Sequence, residues 1–261
     1  MNRAAFFEAV RSPLFAGKLS ASQVSGMEAI LDEAGMRGTR LEWLAYMLAT
    51  AFHETAHTMQ PVRETLANTD DKAIRILDRS FAAGKLKWVK TPYWRKDADG
   101  KSWLGRGLVQ ITHKRNYQIM SPIVGVDLVA NPNMAMDTRV AVKIMFEGME
   151  RGSFTAHKLS AHINDQKTDY YNARRIINGV ESAAKVATYA KQFEAALRAA
   201  GYDGKPYIPV RDEKPNTSPS LPVQEPVRDA PATLERKPTI GNWLAELLAA
   251  ILKAFTKGAS K

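Results

Sequence analysis

Leu41-Glu42-Trp43-Leu44-Ala45-Tyr46-Met47-Leu48-Ala49-Thr50-Ala51-Phe52-His53-Glu54-Thr55-Ala56-His57-Thr58-Met59 is the stretch from which the rest of the chain is read. Leu41, Leu44, Ala45, Leu48, Ala51, Phe52, Thr55 and Met59 recur at spacings of three and four. That is the pattern of a helix with one face in a core. Pro61 stops it, because proline has no amide hydrogen to give and biases the residue before it away from helix. The spacing predicts a core helix from Leu41 to about Gln60. Glu54 falls in its C-terminal part, and Glu64 lies beyond the break.

The pentapeptide His53-Glu54-Thr55-Ala56-His57 supports two incompatible chemistries. As H-E-x-x-H on a helix, it would bind zinc through both histidines, with Glu54 as the general base of a peptidase. A third ligand is then needed. Gln60 and Arg63 stand where the longer zinc signature wants glycine and histidine. As one half of a carboxylate pair with Glu64, Glu54 would instead serve glycosidic bond cleavage. The inverting form of that reaction uses a carboxylic acid and a carboxylate about 6.5–9.5 Å apart, with a water between them and the sugar.

Outward from this stretch, residues 1–36 read as two short helices. The first carries Phe6, Phe7 and Val10, and the second opens with a capping box, Ser20 with Gln23, and ends near Gly35. Asp70 to Phe81 is a further helical pattern. Residues 84–107 form a long loop containing Trp88, Tyr93, Trp94 and Trp103, whose rings are suited either to stack on sugars or to pack on one another. Leu108–Thr112 reads as a short extended segment. Thr138–Arg151, His157–Asn164 and Tyr171–Ala200 read as helices, with Gly201 as the final cap. Eight prolines between 205 and 239 mark a linker. Beyond it, Ile240, Trp243, Leu244, Leu247, Leu248, Ile251, Leu252 and Phe255 form an apolar helical stripe beside Lys253 and Lys257. The expected organisation is a catalytic domain at 1–204, a proline-rich linker at 205–239 and a cationic amphipathic helix at 240–261.

The 261-residue chain has a formal net charge of +10 and no cysteine. Disulfide frameworks, thiolate metal sites and cysteine nucleophiles are excluded. The positive balance favours anionic partners. No stretch has the length of a signal h-region or a membrane span. Synthesis in a cytoplasm, with action outside it after release through a membrane pore, is the corresponding expectation.

Three ordered motifs carry a family resemblance. They are His53-Glu54-Thr55; Gly105-Arg106-Gly107-Leu108-Val109-Gln110-Ile111-Thr112-His113 with Asn116-Tyr117; and Arg175-Ile176-Ile177-Asn178-Gly179. Over roughly residues 1–203 the chain resembles the family 19 glycoside hydrolases, the chitinase-like lysozymes. Met59–Glu64 and Trp103–Gly107 look like the phage and prophage endolysin branch. The resemblance implies a mainly α fold, two helical lobes flanking a central substrate cleft. It implies Glu54 as general acid, Glu64 as general base and Thr112 as the hydroxyl that helps hold the water, with Asp70 and Asp71 competing with Glu64. Gln110, Asn116, Tyr117, Arg175 and Asn178 would contact the sugar.

No cofactor or metal is implied. The implied partner is the glycan of bacterial peptidoglycan, cut by a monomer that binds no nucleic acid and whose Ile240–Phe255 helix contacts membranes. Chitin is the alternative substrate. The structural alternatives are a core role for His53 and His57, a backbone role for Gly105 and Gly107, and a plain turn at Asn178-Gly179.

Overall fold

The computed structural model describes residues 1–87 and 89–206. The linker and the C-terminal helix expected at 205–239 and 240–261 lie outside these residues except for Lys205 and Pro206, and so does Trp88. The described part is mainly helical. The helices are α1 (Arg3–Phe15), α2 (Ala21–Arg37), α3 (Leu41–Glu54), α4 (Asp70–Ala82), α5 (Lys114–Val124), α6 (Thr138–Arg151), α7 (Leu159–His162), α8 (Tyr170–Ala173) and α9 (Ala183–Ala199), with 3-10 turns at Glu64–Leu66, Pro132–Met136 and Arg174–Ile176 among their connections. Two two-residue strands, β1 (Val62–Arg63) and β2 (Arg106–Gly107), pair antiparallel.

Two cores account for the two lobes. The larger is built on α3, which packs chiefly on α9, while α1 and α8 also pack on α9 and α6 meets α2 and α5. The apolar stripe expected for one face of α3 understates its burial. Every residue from Leu44 to Phe52 is buried, so α3 is a central helix surrounded on all sides. Its alanines at 45, 49 and 51 allow neighbours to come close. The smaller core gathers Ala67, Ala73, Leu77, Leu86, Trp94 and Leu104 from α4 and the long loop.

Four boundaries differ from the sequence reading. Helix α3 ends at Glu54 rather than near Gln60. Ala56, His57, Met59, Thr65 and Leu66 adopt left-handed backbone, with φ of 50°, 69°, 56°, 68° and 57°. Each costs about 1 kcal/mol. Side-chain hydrogen bonds hold the segment instead. The buried Thr55 hydroxyl donates to the Ala51 carbonyl (2.7 Å) and accepts from the Met59 amide (3.0 Å). The Gln23 and Gln60 amides donate to the carbonyls of His57 and Ser22.

Leu108-Val109-Gln110 is a tight turn closed by the Arg106–Ile111 bridge, not an extended segment. Gln110 has φ 52°. Tyr171–Ala200 is not one helix. It breaks between Ala173 and Ala183, where Asn178 Oδ1 accepts from the Gly179 amide and Ser182 turns left-handed. Helix α5 escapes the sequence pattern because only Tyr117, Met120 and Val124 are buried along it, and Pro122, which the helix runs through, reads as a breaker.

Helix α2 meets the segment after Glu54 at Gly26. A Cβ there would lie 1.8 Å from the Met59 carbonyl oxygen. Alanine gains about 1 kcal/mol in helix propensity, but the backbone clash is larger. Gly26→Ala should therefore lower the unfolding free energy by about 2 kcal/mol or more, measured by urea denaturation. Equal or greater stability would show that Met59 yields freely.

Candidate active site

Each of the two acidic residues singled out in the sequence is buried, in a different setting. Glu54 ends α3 one and two helical turns beyond Thr50 and Tyr46, and all three are buried. Its Oε1 lies 2.7 Å from Arg174 Nη1, with both side chains only 5 % exposed. The contact is an ion pair angled away from hydrogen-bond geometry. Arg174 Nε in turn donates to the Glu181 carbonyl (3.2 Å). The break after α8 brings this arginine to Glu54, because the 3-10 turn Arg174–Ile176 follows that short helix directly.

Glu64 opens the 3-10 turn Glu64–Leu66 just after β1. Its amide donates to the Gly105 carbonyl (2.7 Å). Its Oε2 accepts from the Gly105 amide (2.8 Å), and its Oε1 accepts from the Tyr93 hydroxyl (2.7 Å). Burial pushes the Glu64 carboxyl up to about 7, against the opposing pull of the Gly105 amide, the Tyr93 hydroxyl and the Arg106 charge. Burial is the dominant cause because removing a carboxylate from water costs more than two hydrogen bonds return. Gly105 has to be glycine here, since a Cβ would stand 2.8 Å from Gln110 Oε1 and 3.3 Å from Glu64 Cβ.

Arg106, between the two glycines, has its guanidinium fully buried. Nη1 donates to the carbonyls of Ser102 (3.0 Å) and Leu104 (3.3 Å) and to Tyr117 Oη (2.9 Å). Nε reaches Asn133 Oδ1 (3.3 Å), and Nη2 pairs with Asp70. Asp70 is also held by Arg63 Nε at 2.7 Å. Asp71 is exposed and paired with Lys96 at 2.8 Å. With both aspartates committed to cations, Glu64 alone keeps the buried position its competitors were offered for.

The expected sugar contacts divide. Tyr117 is withdrawn as one of them: it has no exposed surface, and its hydroxyl donates to the Leu104 carbonyl (2.8 Å). Arg175 is exposed, with Nε 3.4 Å from Asn172 Oδ1; Arg174, one residue earlier, is the arginine that faces Glu54. Gln110 spends both amide protons on the carbonyls of Val62 (2.8 Å) and Gly107 (3.1 Å). Asn116 donates to the carbonyl of Thr112, which is half-buried. Asn178 is also partly exposed. Trp94 and Trp103 are buried with their indoles on Asp78 and Asp97, so the loop packs on itself there.

The zinc geometry fails. Two histidines share a helical face only if the helix continues through both, and α3 stops between them. His57 instead lies flat on Phe52, with ring centroids 4.0 Å apart, and burial holds its imidazole down at about 4. No group of three or more metal-ligating side chains converges among the described residues.

Sequence reasoning missed Tyr93, Arg174 and the Tyr46–Thr50 stripe. The i, i+4, i+8 spacing of Tyr46, Thr50 and Glu54 was the available signal for the last. For Tyr93 the sequence offered only an aromatic loop.

A mainly helical body with two buried carboxylates, one set against an arginine and one held by a tyrosine and an amide, has the inventory of an acid–base glycosidase. The family model described as chitinase class I matches residues 29–162, just over half of the chain. The chain belongs to that family, the family 19 glycoside hydrolases, and is a glycosidase. A solved chitinase C mutant aligns at 16% identity over 79% of this chain and 95% of its own, with a TM-score of 0.43. No curated protein matches.

Glu64→Gln tests the electrostatics. Below about pH 4.5 the wild-type carboxyl is neutral whether folded or unfolded, and it costs nothing. Between about pH 4.5 and 7 the unfolded state ionises while the buried carboxyl stays neutral, so the folded state loses stability over that window and levels off above it. Glutamine can accept from Gly105 and donate to Tyr93, so it keeps both contacts. The variant should gain roughly 2–3 kcal/mol over wild type at pH 8 compared with pH 4.5, read from denaturation curves at the two pH values. A pH-independent difference would show that Glu64 is not held neutral.

Proposed function

We propose that the protein is an endolysin. It hydrolyses the β-1,4 bond between N-acetylmuramic acid and N-acetylglucosamine in peptidoglycan by single displacement with inversion. Glu54 donates a proton to the leaving oxygen. Arg174 faces the carboxylate that remains, so charge develops beside a fixed cation. Glu64 takes the proton of the attacking water. A carboxylate poised near 7 is a stronger base than an ordinary one and suits neutral pH. Thr112 helps hold that water, and Asn116 and Asn178 contact the sugar. The single observation that carries the reading is this pair of buried carboxylates in contrasting settings.

The wall glycan is favoured over chitin by the positive chain charge, since peptidoglycan is anionic and chitin neutral. On this reading the enzyme leaves its host's cytoplasm through a membrane pore and acts as a monomer on the wall. The Ile240–Phe255 stripe would meet a membrane surface.

The raised Glu64 carboxyl also favours a second reading with the roles exchanged, and the pH profile separates the two. If Glu64 is the base, kcat/KM rises as pH increases through about 7. If it is the acid, kcat/KM falls there. In either case Tyr93→Phe removes a donor that favours the charged form and should move that limb to higher pH.

Mass spectrometry of digested walls tests the reaction itself. Wild type should release muropeptides with new reducing muramic acid ends, and Glu54→Gln should lose at least about a hundredfold in rate. Undiminished cleavage by Glu54→Gln would remove Glu54 from the chemistry, and release of chitin fragments alone would replace the substrate.

A further inference from the structure

We infer that the outer face of α4 and the turn behind it form a docking surface for the carboxylates of peptidoglycan stem peptides. This rests on the wall-hydrolase reading and adds a recognition element to it. Between Asp70 and Leu104 there are nine lysines and arginines against five aspartates, a net +4 of the chain's +10. Every one of those aspartates is occupied. Asp70 is taken by Arg63 and Arg106, Asp71 by Lys96, Asp78 by Trp94 and Arg95, and Asp97 and Asp99 by Lys114.

Lys72, Arg75, Arg79, Lys85 and Lys87 are exposed and have no ion-pair partner among the described residues. Lys72, Arg75 and Arg79 fall at i, i+3 and i+7, on one side of α4. Lys85 and Lys87 follow on the turn that closes it, where the Lys85 amide returns to the Ser80 carbonyl (3.0 Å) and Lys87 Cε covers Gly84.

Complementing the helix dipole does not explain the stripe. Cations are favoured only in the last turn, and Lys72 and Arg75 stand in the first two, where the dipole opposes them. Asp71, four residues before Arg75 on the helix, is itself paired to Lys96. The exposed large apolar side chains of the described residues are Met1, Met36, Tyr171 and Val180. None lies on this face, so it is built to meet charge in water rather than to enter a bilayer. The same small lobe supplies Tyr93, and α4 packs on the turn that carries Glu64. An anionic stem peptide held here would therefore be held by the lobe that positions one of the two carboxylates.

The test uses the full-length protein and purified peptidoglycan sacculi, native or with their carboxyls converted to neutral amides. One variant carries Arg75→Gln, Arg79→Gln, Lys85→Gln and Lys87→Gln. A charge-matched control carries Lys18→Gln, Lys143→Gln, Lys158→Gln and Lys191→Gln, and circular dichroism checks that both fold. In co-sedimentation at low salt, wild type and control should bind native sacculi about tenfold more tightly than the face variant does. Amidation should bring them to the variant's level while leaving the variant unchanged. Equal binding by variant and control would overturn the docking surface. So would a loss confined to binding of added DNA, which would make it a nucleic-acid face. Muropeptide release is scored separately in the same samples: its absence in wild type overturns the hydrolase reading, whatever the binding shows.

Discussion

The buried guanidinium of Arg106 is the contact on which the arrangement depends. It joins three parts of the chain that share no continuous secondary structure: the loop at 102–104, the first turn of α4 through Asp70, and α5 through Tyr117. Burying an arginine is expensive, and the cost is met only because its nitrogens all find acceptors in a fixed fork. Lysine has no such fork. With Arg106 in place, Gly105 is pinned beside Glu64, and the small lobe that supplies Tyr93 is tied to the helical body. A motif that looks like a glycine-rich loop is, in physical terms, a buried cation flanked by two backbone positions where side chains are excluded or strained.

The two carboxylates show how one chemical group acquires two characters. Glu54 sits at the end of a central helix with a cation against it. Glu64 sits in a dry corner with neutral donors. Both are buried, so the main difference lies in the partner, and on the Glu64 side it depends on packing contributed by residues distant in sequence, including Tyr93 and Trp94 of the smaller core.

That dependence explains what could be read from the chain and what could not. The core helices were legible where apolar spacing was regular, as at α6, whose limits Thr138 and Arg151 agree with the pattern. The capping box at Ser20 and Gln23 was legible because it is purely local. The early end of α3 was not, since Thr55, Ala56 and His57 are compatible with helix and are turned aside by contacts with Gln23 and Ala51. Glu54 and Glu64 could be named from motifs, but their partners could not. Arg174 reaches Glu54 from the 3-10 turn that follows the short helix ending at Ala173, and helical periodicity alone runs through that break. Tyr117 was misjudged for the converse reason: a polar atom beside a motif invited a ligand, and the structure gives it to Leu104 and Arg106.

The left-handed residues between Glu54 and Glu64 act together as a ruler. A flexible connection of nine residues, 55–63, would tolerate insertion or loss at small cost. Here three non-glycine residues, Ala56, His57 and Met59, hold an unusual conformation in a segment bonded to α2 and α3 on both sides, so adding or removing one residue would put the wrong side chain at each left-handed position. The spacing of the two carboxylates is thereby insulated from drift in chain length.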